Sequence, residues 1–212
     1  MTGFARQERH ALCDTMLQVG PDVPTLCSPW RARDLAAHLV IRDSRPDLAL
    51  GMFVPALKGR LDAAMTSYAA VAWPGLVDRV RSGPPFWSPT RLPPVDEAVN
   101  LAEFFIHHED VLRGAPGFTR RVLDAPLEAA IWKGLRSQSK LMLRGATVGV
   151  VLAAPGFGRF TAKGPSGPGT AVVTATPGEL SLFVAGRQRV AEVEVEGPDA
   201  AVTAISGEPL GA

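Results

Sequence analysis

The chain has 212 residues, 46% of them hydrophobic and 20% charged, and its 22 basic and 21 acidic side chains leave a net charge of +1. That is the composition of an ordinary soluble globular protein, long enough for one large domain or two small ones. The near balance of charge, with no run rich in Lys or Arg, excludes the electrostatic footprint of a nucleic-acid binder.

The first residues carry Arg6, Glu8, Arg9 and His10 among their apolar neighbours, so they lack the uninterrupted apolar stretch of a signal peptide. The longest apolar run, residues 146–155, is too short to span a bilayer and reads as a strand. A cytoplasmic protein with no membrane partner is expected. The two cysteines, Cys13 and Cys27, make neither a disulfide framework nor a paired zinc motif, and read as reduced structural thiols.

Residues 4–19 have helical spacing, with Phe4, Ala5, Leu12, Met16 and Val19 on one stripe and Gly20-Pro21 as the stop. Ser28-Pro29-Trp30 reads as a helix start, Ser28 capping and Pro29 in the first helical position. The helix over 31–44 then presents Leu35, Ala36, Leu39 and Val40, with His38 on or beside that stripe. A third helix covers 56–72, and a short one 75–81. The proline-rich segment 82–94 predicts an ordered loop whose Phe86 and Trp87 anchor it or line a pocket. A long helix follows over 95–113, with Val99, Ala102, Phe105 and Ile106 apolar and Gly114 as its stop. Another covers 124–144. Beyond residue 145 the period changes to that of strands, over 147–154, 159–162, 171–176 and 190–196, with helices over 177–185 and 198–206. The expected architecture is α+β: an up-and-down four-helix bundle over residues 1–145, then a small α+β C-terminal domain over 146–212.

Half of the four histidines lie in one stretch, Glu103-Phe104-Phe105-Ile106-His107-His108-Glu109-Asp110. On a helix, Glu103 and His107 share a face. With His38 from a facing helix they would offer two nitrogens and one carboxylate, a donor set suited to a divalent metal with one position left open. An open position on a metal acidifies bound water or thiol, or polarises a carbonyl. Each residue also has an ordinary explanation: His38 as a hydrogen-bonded core histidine, Glu103 and His107 as an i,i+4 pair. His108 and Glu109 read as the solvated face, Asp110 as a support for one of the histidines, and His10 as a surface residue.

The layout resembles the mycothiol-dependent maleylpyruvate isomerase family. The resemblance runs through Leu26-Cys27-Ser28-Pro29-Trp30, Arg33-Asp34-Leu35-Ala36-Ala37-His38-Leu39, Glu103-Phe104-Phe105-Ile106-His107 with Glu109-Asp110, and Gly178-Glu179-Leu180 to Gly186-Arg187. More narrowly, the Arg-Asp-Leu-Ala-Ala-His-Leu and His-His-Glu-Asp patterns are similar to an uncharacterised actinobacterial branch described only as metal-binding. The resemblance implies a DinB-like bundle. It implies that His38, Glu103 and His107 hold a divalent metal, zinc first, with nickel, iron or manganese also suited. It further implies mycothiol as a thiol partner and chemistry on a small electrophilic or anionic substrate, as an isomerase or a thiol transferase. Arg187 matches the Gly-Arg element and would grip an anionic substrate; a helix C-terminal arginine favoured by the dipole explains it equally. The alternative to an enzyme is a non-catalytic metal or small-molecule binder of the same fold, monomeric or homodimeric.

Overall fold

A computed structural model describes residues 3–49, 51 and 54–211. They form two compact units, divided between Arg120 and Arg121. The helices of the first unit are α1 (Phe4–Val19), α2 (Ala32–Ser44), α3 (Pro46–Ala49), α4 (Lys58–Ala69), α5 (Trp73–Ser82) and α6 (Pro93–Leu112). Those of the second are α7 (Ala125–Met142), α8 (Pro177–Val184) and α9 (Asp199–Gly207), around strands β1 (Gly149–Ala154), β2 (Gly158–Lys163), β3 (Thr170–Thr174) and β4 (Glu194–Glu196).

In the first unit, one apolar cluster draws on four helices. Leu12, Cys13 and Met16 come from α1, Leu35, Ala36, Leu39 and Val40 from α2, Leu76, Val77 and Val80 from α5, and Phe104 and Val111 from α6. Fully burying one such side chain stabilises the fold by about 1.5–3 kcal/mol. The helix read over 56–72 is not one of the four. It divides into a short 3-10 turn, Pro55–Leu57, and α4, which has no fully buried residue. The bundle's remaining place is taken by the shorter α5, whose Trp73-Pro74 starts the helix as its first two residues.

The ends of these helices follow local chemistry. Gly20, at φ 85°, closes α1 and donates its N–H to the Met16 carbonyl at 3.0 Å. α2 begins three residues later than Pro29 would have it. Trp30 donates back to Cys27 at 2.9 Å in a turn, and Asp34 caps the helix by accepting from the Arg31 N–H at 2.9 Å. Pro93 and Pro94 open α6, with Asp96 in its first turn. Gly114 follows α6 where the connector before α2 crosses it. A Cβ there would lie 2.7 Å from the Thr25 Cα, so this close approach requires glycine.

Several expected core positions are instead on the surface: Val19 is 41% exposed, Val99 46%, Phe86 88% and Trp87 55%. Phe86 therefore stands largely in solvent, and Trp87 is covered over less than half of its surface. The reverse holds for His108 and Glu109, read as the wet face of α6 but buried. His108 lies 2.8 Å from Thr15 Oγ1 and 3.2 Å from Glu8 Oε2 on α1, and Glu109 accepts from Arg113 Nε at 2.6 Å. Burial of these polar groups is tolerable because each has a partner.

The second unit starts earlier than residue 146, because α7 packs with it. Trp132 meets Phe160 of β2 with ring centroids 5.0 Å apart. Glu128 accepts from the Gly178 N–H at the start of α8, at 2.8 Å. Asp124 caps α7 through the Leu127 N–H at 2.9 Å. The sheet has the order β2-β1-β3-β4, with β1 parallel to β3 and the other two pairings antiparallel. Val150, Leu152, Ala171 and Val173 form its buried face. The strand expected over 190–196 is shortened to β4, because Val190 and Ala191 both donate to the Arg187 carbonyl at 3.1 Å and turn the chain first.

Candidate metal centre

The structure brings His38, Glu103 and His107 together in the first unit. His38 projects from the middle of α2, and Glu103 and His107 stand one turn apart on α6. Glu103 Oε1 lies 3.3 Å from His38 Nε2 and 3.2 Å from His107 Nε2. The two imidazole centroids are 5.4 Å apart and nearly perpendicular. The side chains are 12%, 24% and 11% exposed in chain order, so the donors are withdrawn from bulk water while the cluster stays open to a ligand.

Each donor is held from behind. Asp110, completely buried, accepts from His107 Nδ1 at 2.8 Å. That hydrogen bond keeps the proton on Nδ1 and turns the Nε2 lone pair toward Glu103, the carboxylate–histidine arrangement that orients metal ligands. Trp30 packs its ring 5.2 Å from that of His38. Arg42, one turn beyond His38 on α2, places Nε 3.1 Å from Glu103 Oε1 and donates from Nη1 to Asn100 at 2.6 Å.

The donor set fits a divalent ion. With Asp110 fixing the tautomer, a lone pair on His107 and a carboxylate oxygen face each other 3.2 Å apart, which is repulsive unless positive charge lies between them. The edge of a tetrahedron around an ion with bonds of about 2.0–2.2 Å is about 3.3–3.6 Å. The observed 3.2 and 3.3 Å separations are close to that length. Metal-free, a proton answers the same need. Burial alone would lower His107, but hydrogen bonds with Asp110, Cys27 and Glu103 outweigh it and hold the imidazole well above its usual value. Burial would likewise raise Glu103, but hydrogen bonds with His107 and His38 hold it well below the carboxylate range.

Cys27, expected only as a reduced structural thiol, lies beside the cluster. It stands in the connector before α2 and donates from Sγ to Asp110 Oδ2 at 3.0 Å, with Sγ 3.9 Å from His107 Nδ1. Cys27, His107 and Asp110 thus form a second donor group. Its 2.8 and 3.0 Å separations are hydrogen bonds, shorter than ligand edges of about 3.3–3.6 Å, so the group reads as support for His107 and not as another centre. Arg187 lies in the second unit, just after α8, where its Nη1 donates to the Ala185 carbonyl at 2.6 Å.

No protein-family model matches this chain. No curated protein matches it either. Among solved structures it aligns with the crystal structure of a mycothiol-dependent maleylpyruvate isomerase, with a TM-score of 0.62 over 92% of each chain. The chain has the fold of that isomerase. At 17% identity the likeness is one of fold. It accords with the α+β, DinB-like class expected from the residues and the resemblance. No helix among the described residues is long and apolar enough to cross a membrane.

Two predictions follow from this geometry. Asp110→Asn weakens zinc binding by about 10–100-fold, measured by competition with a chromophoric chelator, while the circular dichroism spectrum stays that of the wild type. Because ligation requires His107 without its Nε2 proton and that proton is held tightly, zinc affinity climbs as pH rises through and above the usual imidazole range. The same competition at pH 6 to 9 reads the slope, about tenfold per unit below the raised pKa; a flat profile contradicts it.

Proposed function

We propose that this protein is a divalent-metal, thiol-dependent enzyme, an isomerase or S-transferase, in which His38, Glu103 and His107 hold the metal. The observation that carries the reading is the convergence of these three donors with Asp110 on the far nitrogen of His107. The name of the isomerase that shares the fold supports mycothiol as the thiol. When bound, a divalent ion such as zinc lowers the pKa of a coordinated thiol and keeps it as the thiolate, the form that attacks electrophiles.

The chain's own residues prepare that chemistry. Asp110 fixes the tautomer and direction of His107. Arg42 holds the Glu103 carboxylate, its Nε 3.1 Å from Oε1. Trp30 fixes the His38 ring and gives the cluster an apolar wall that limits water around a nucleophile. Arg187 is our candidate for binding an anionic substrate group, since a guanidinium grips a carboxylate with two parallel hydrogen bonds.

The test uses the full chain loaded with zinc, incubated with mycothiol and either maleylpyruvate or an alkylating electrophile. The expected result is turnover that needs both metal and thiol. His38→Ala and His107→Ala lower it by more than about 100-fold, beyond the effect of losing an outer-shell partner. Arg187→Ala raises KM for the anionic substrate more than it lowers kcat. Bound zinc without turnover or thiol binding favours the alternative, a metal-binding protein without catalysis; turnover that survives metal removal overturns the proposal.

A further inference from the structure

The second polar concentration in the bundle unit has the opposite character. A cavity of about 380 Å³ opens between the start of α1, the end of α5 and the segment leading into α6. Its lining includes Arg6, Arg9, His10, Arg81, Thr90 and Arg91. Four guanidiniums around one cavity stand out in a chain with a net charge of only +1. It shares no lining residue with the metal centre.

We propose that this cavity is a binding site for a small polyanion, one carrying at least two negative charges on phosphate or carboxylate groups. The negative charge inside the cavity falls short of the positive. The lining carboxylate is Asp96, and it is taken up by Arg9 Nη2 at 3.1 Å and Asn100 Nδ2 at 2.7 Å. Arg81 pairs with Asp14 at 2.7 Å, outside the lining. Arg91 is braced by the Pro84 carbonyl at 3.1 Å, a contact that orients it without neutralising it. Arg6 carries no carboxylate partner among the described residues.

Arg9 is the buried wall of the cavity, 5% exposed, its Nη2 shared between Asp96 at 3.1 Å and Asp43 at 3.5 Å. The charges left for a ligand are therefore chiefly those of Arg6 and Arg91. The chain is shaped to keep Arg9 where it is. Its guanidinium carbon lies 4.5 Å from the centroid of the Phe104 ring, and a Cβ on Gly83 would overlap its Nη1. The field of the arginines is felt by a neighbour. His10, half-buried in this lining and not the plain surface residue expected, is lowered by burial first and then by Arg6, Arg81 and Arg9. The volume is at the small end of ligand pockets, about 300–1,000 Å³, which suits a compact anion over a nucleotide or a peptide. Guanidiniums bind phosphate and carboxylate in the same two-pronged way, so both sources are tested.

The experiment is isothermal titration of the full zinc-loaded chain, and of a His107→Ala variant as a control because both anions also bind zinc, with pyrophosphate and, separately, with citrate, at an ionic strength fixed with sodium chloride; the event belongs to the cavity only if it persists in the variant. One saturable event per chain is expected with at least one of them, and the stronger probe names the source. Arg6→Ala and Arg91→Ala, both at exposed positions, each weaken it about tenfold, as expected for one charge-assisted hydrogen bond. The double variant abolishes it while zinc content and thermal melting stay at wild-type values. Absence of a saturable event with either probe overturns the proposal, and so does an affinity that the double variant leaves unchanged.

Discussion

The hydrogen bond between Asp110 and His107 is the constraint on which the candidate centre depends. A carboxylate with no exposure survives in the bundle only because it is fully used: it accepts from His107 Nδ1 at 2.8 Å and from the Cys27 thiol at 3.0 Å. Its own backbone carbonyl accepts from the Leu26 N–H at 3.0 Å. One residue of α6 thereby fixes a histidine tautomer and ties down the connector that precedes α2. That connector also carries Trp30, which packs on His38. Both histidines of the cluster are thus positioned by a single short segment, and Gly114 is the point that lets it approach α6 closely enough.

Electrostatics and packing make the same arrangement. Glu103 receives His38, His107 and Arg42 on one oxygen, and Arg42 leads to Asp43 at 3.6 Å, which lies 3.5 Å from Arg9. Burying charges is expensive, and the expense is bearable when they alternate in sign and are hydrogen-bonded. Such a chain is a poor way to gain stability and a good way to hold one carboxylate in one orientation, which is what a ligand needs. The apolar cluster of α1, α2, α5 and α6 supplies the rigid frame around it.

Much of this was legible in the sequence, for reasons that differ by element. α1 was read to its last residue because Gly20-Pro21 is an unambiguous stop, and the start of α7 to within one residue because Asp124 caps it, while its end was placed two residues too far. His38, Glu103 and His107 were legible as a set because donor chemistry and i,i+4 spacing are local signals, reinforced by a family resemblance. What stayed hidden is tertiary. Periodicity shows that α7 has an apolar face, not that Trp132 meets Phe160 in the second unit. His108 and Glu109 look solvated until Glu8, Thr15 and Arg113 are known to meet them. Cys27 looked like an inert core thiol because its partner Asp110 is distant in sequence, and the arginine cavity is assembled from segments that show no basic run.

The central claim is that His38, Glu103 and His107 hold a divalent metal with a position free for an exogenous thiol. Zinc-edge X-ray absorption of the loaded protein tests it most directly. The account predicts two imidazole nitrogens and carboxylate oxygen at about 2.0–2.2 Å, with no sulfur until mycothiol is added, and then one sulfur at about 2.3 Å. Failure of the protein to retain zinc, or a sulfur ligand from Cys27 before any thiol is added, would contradict it.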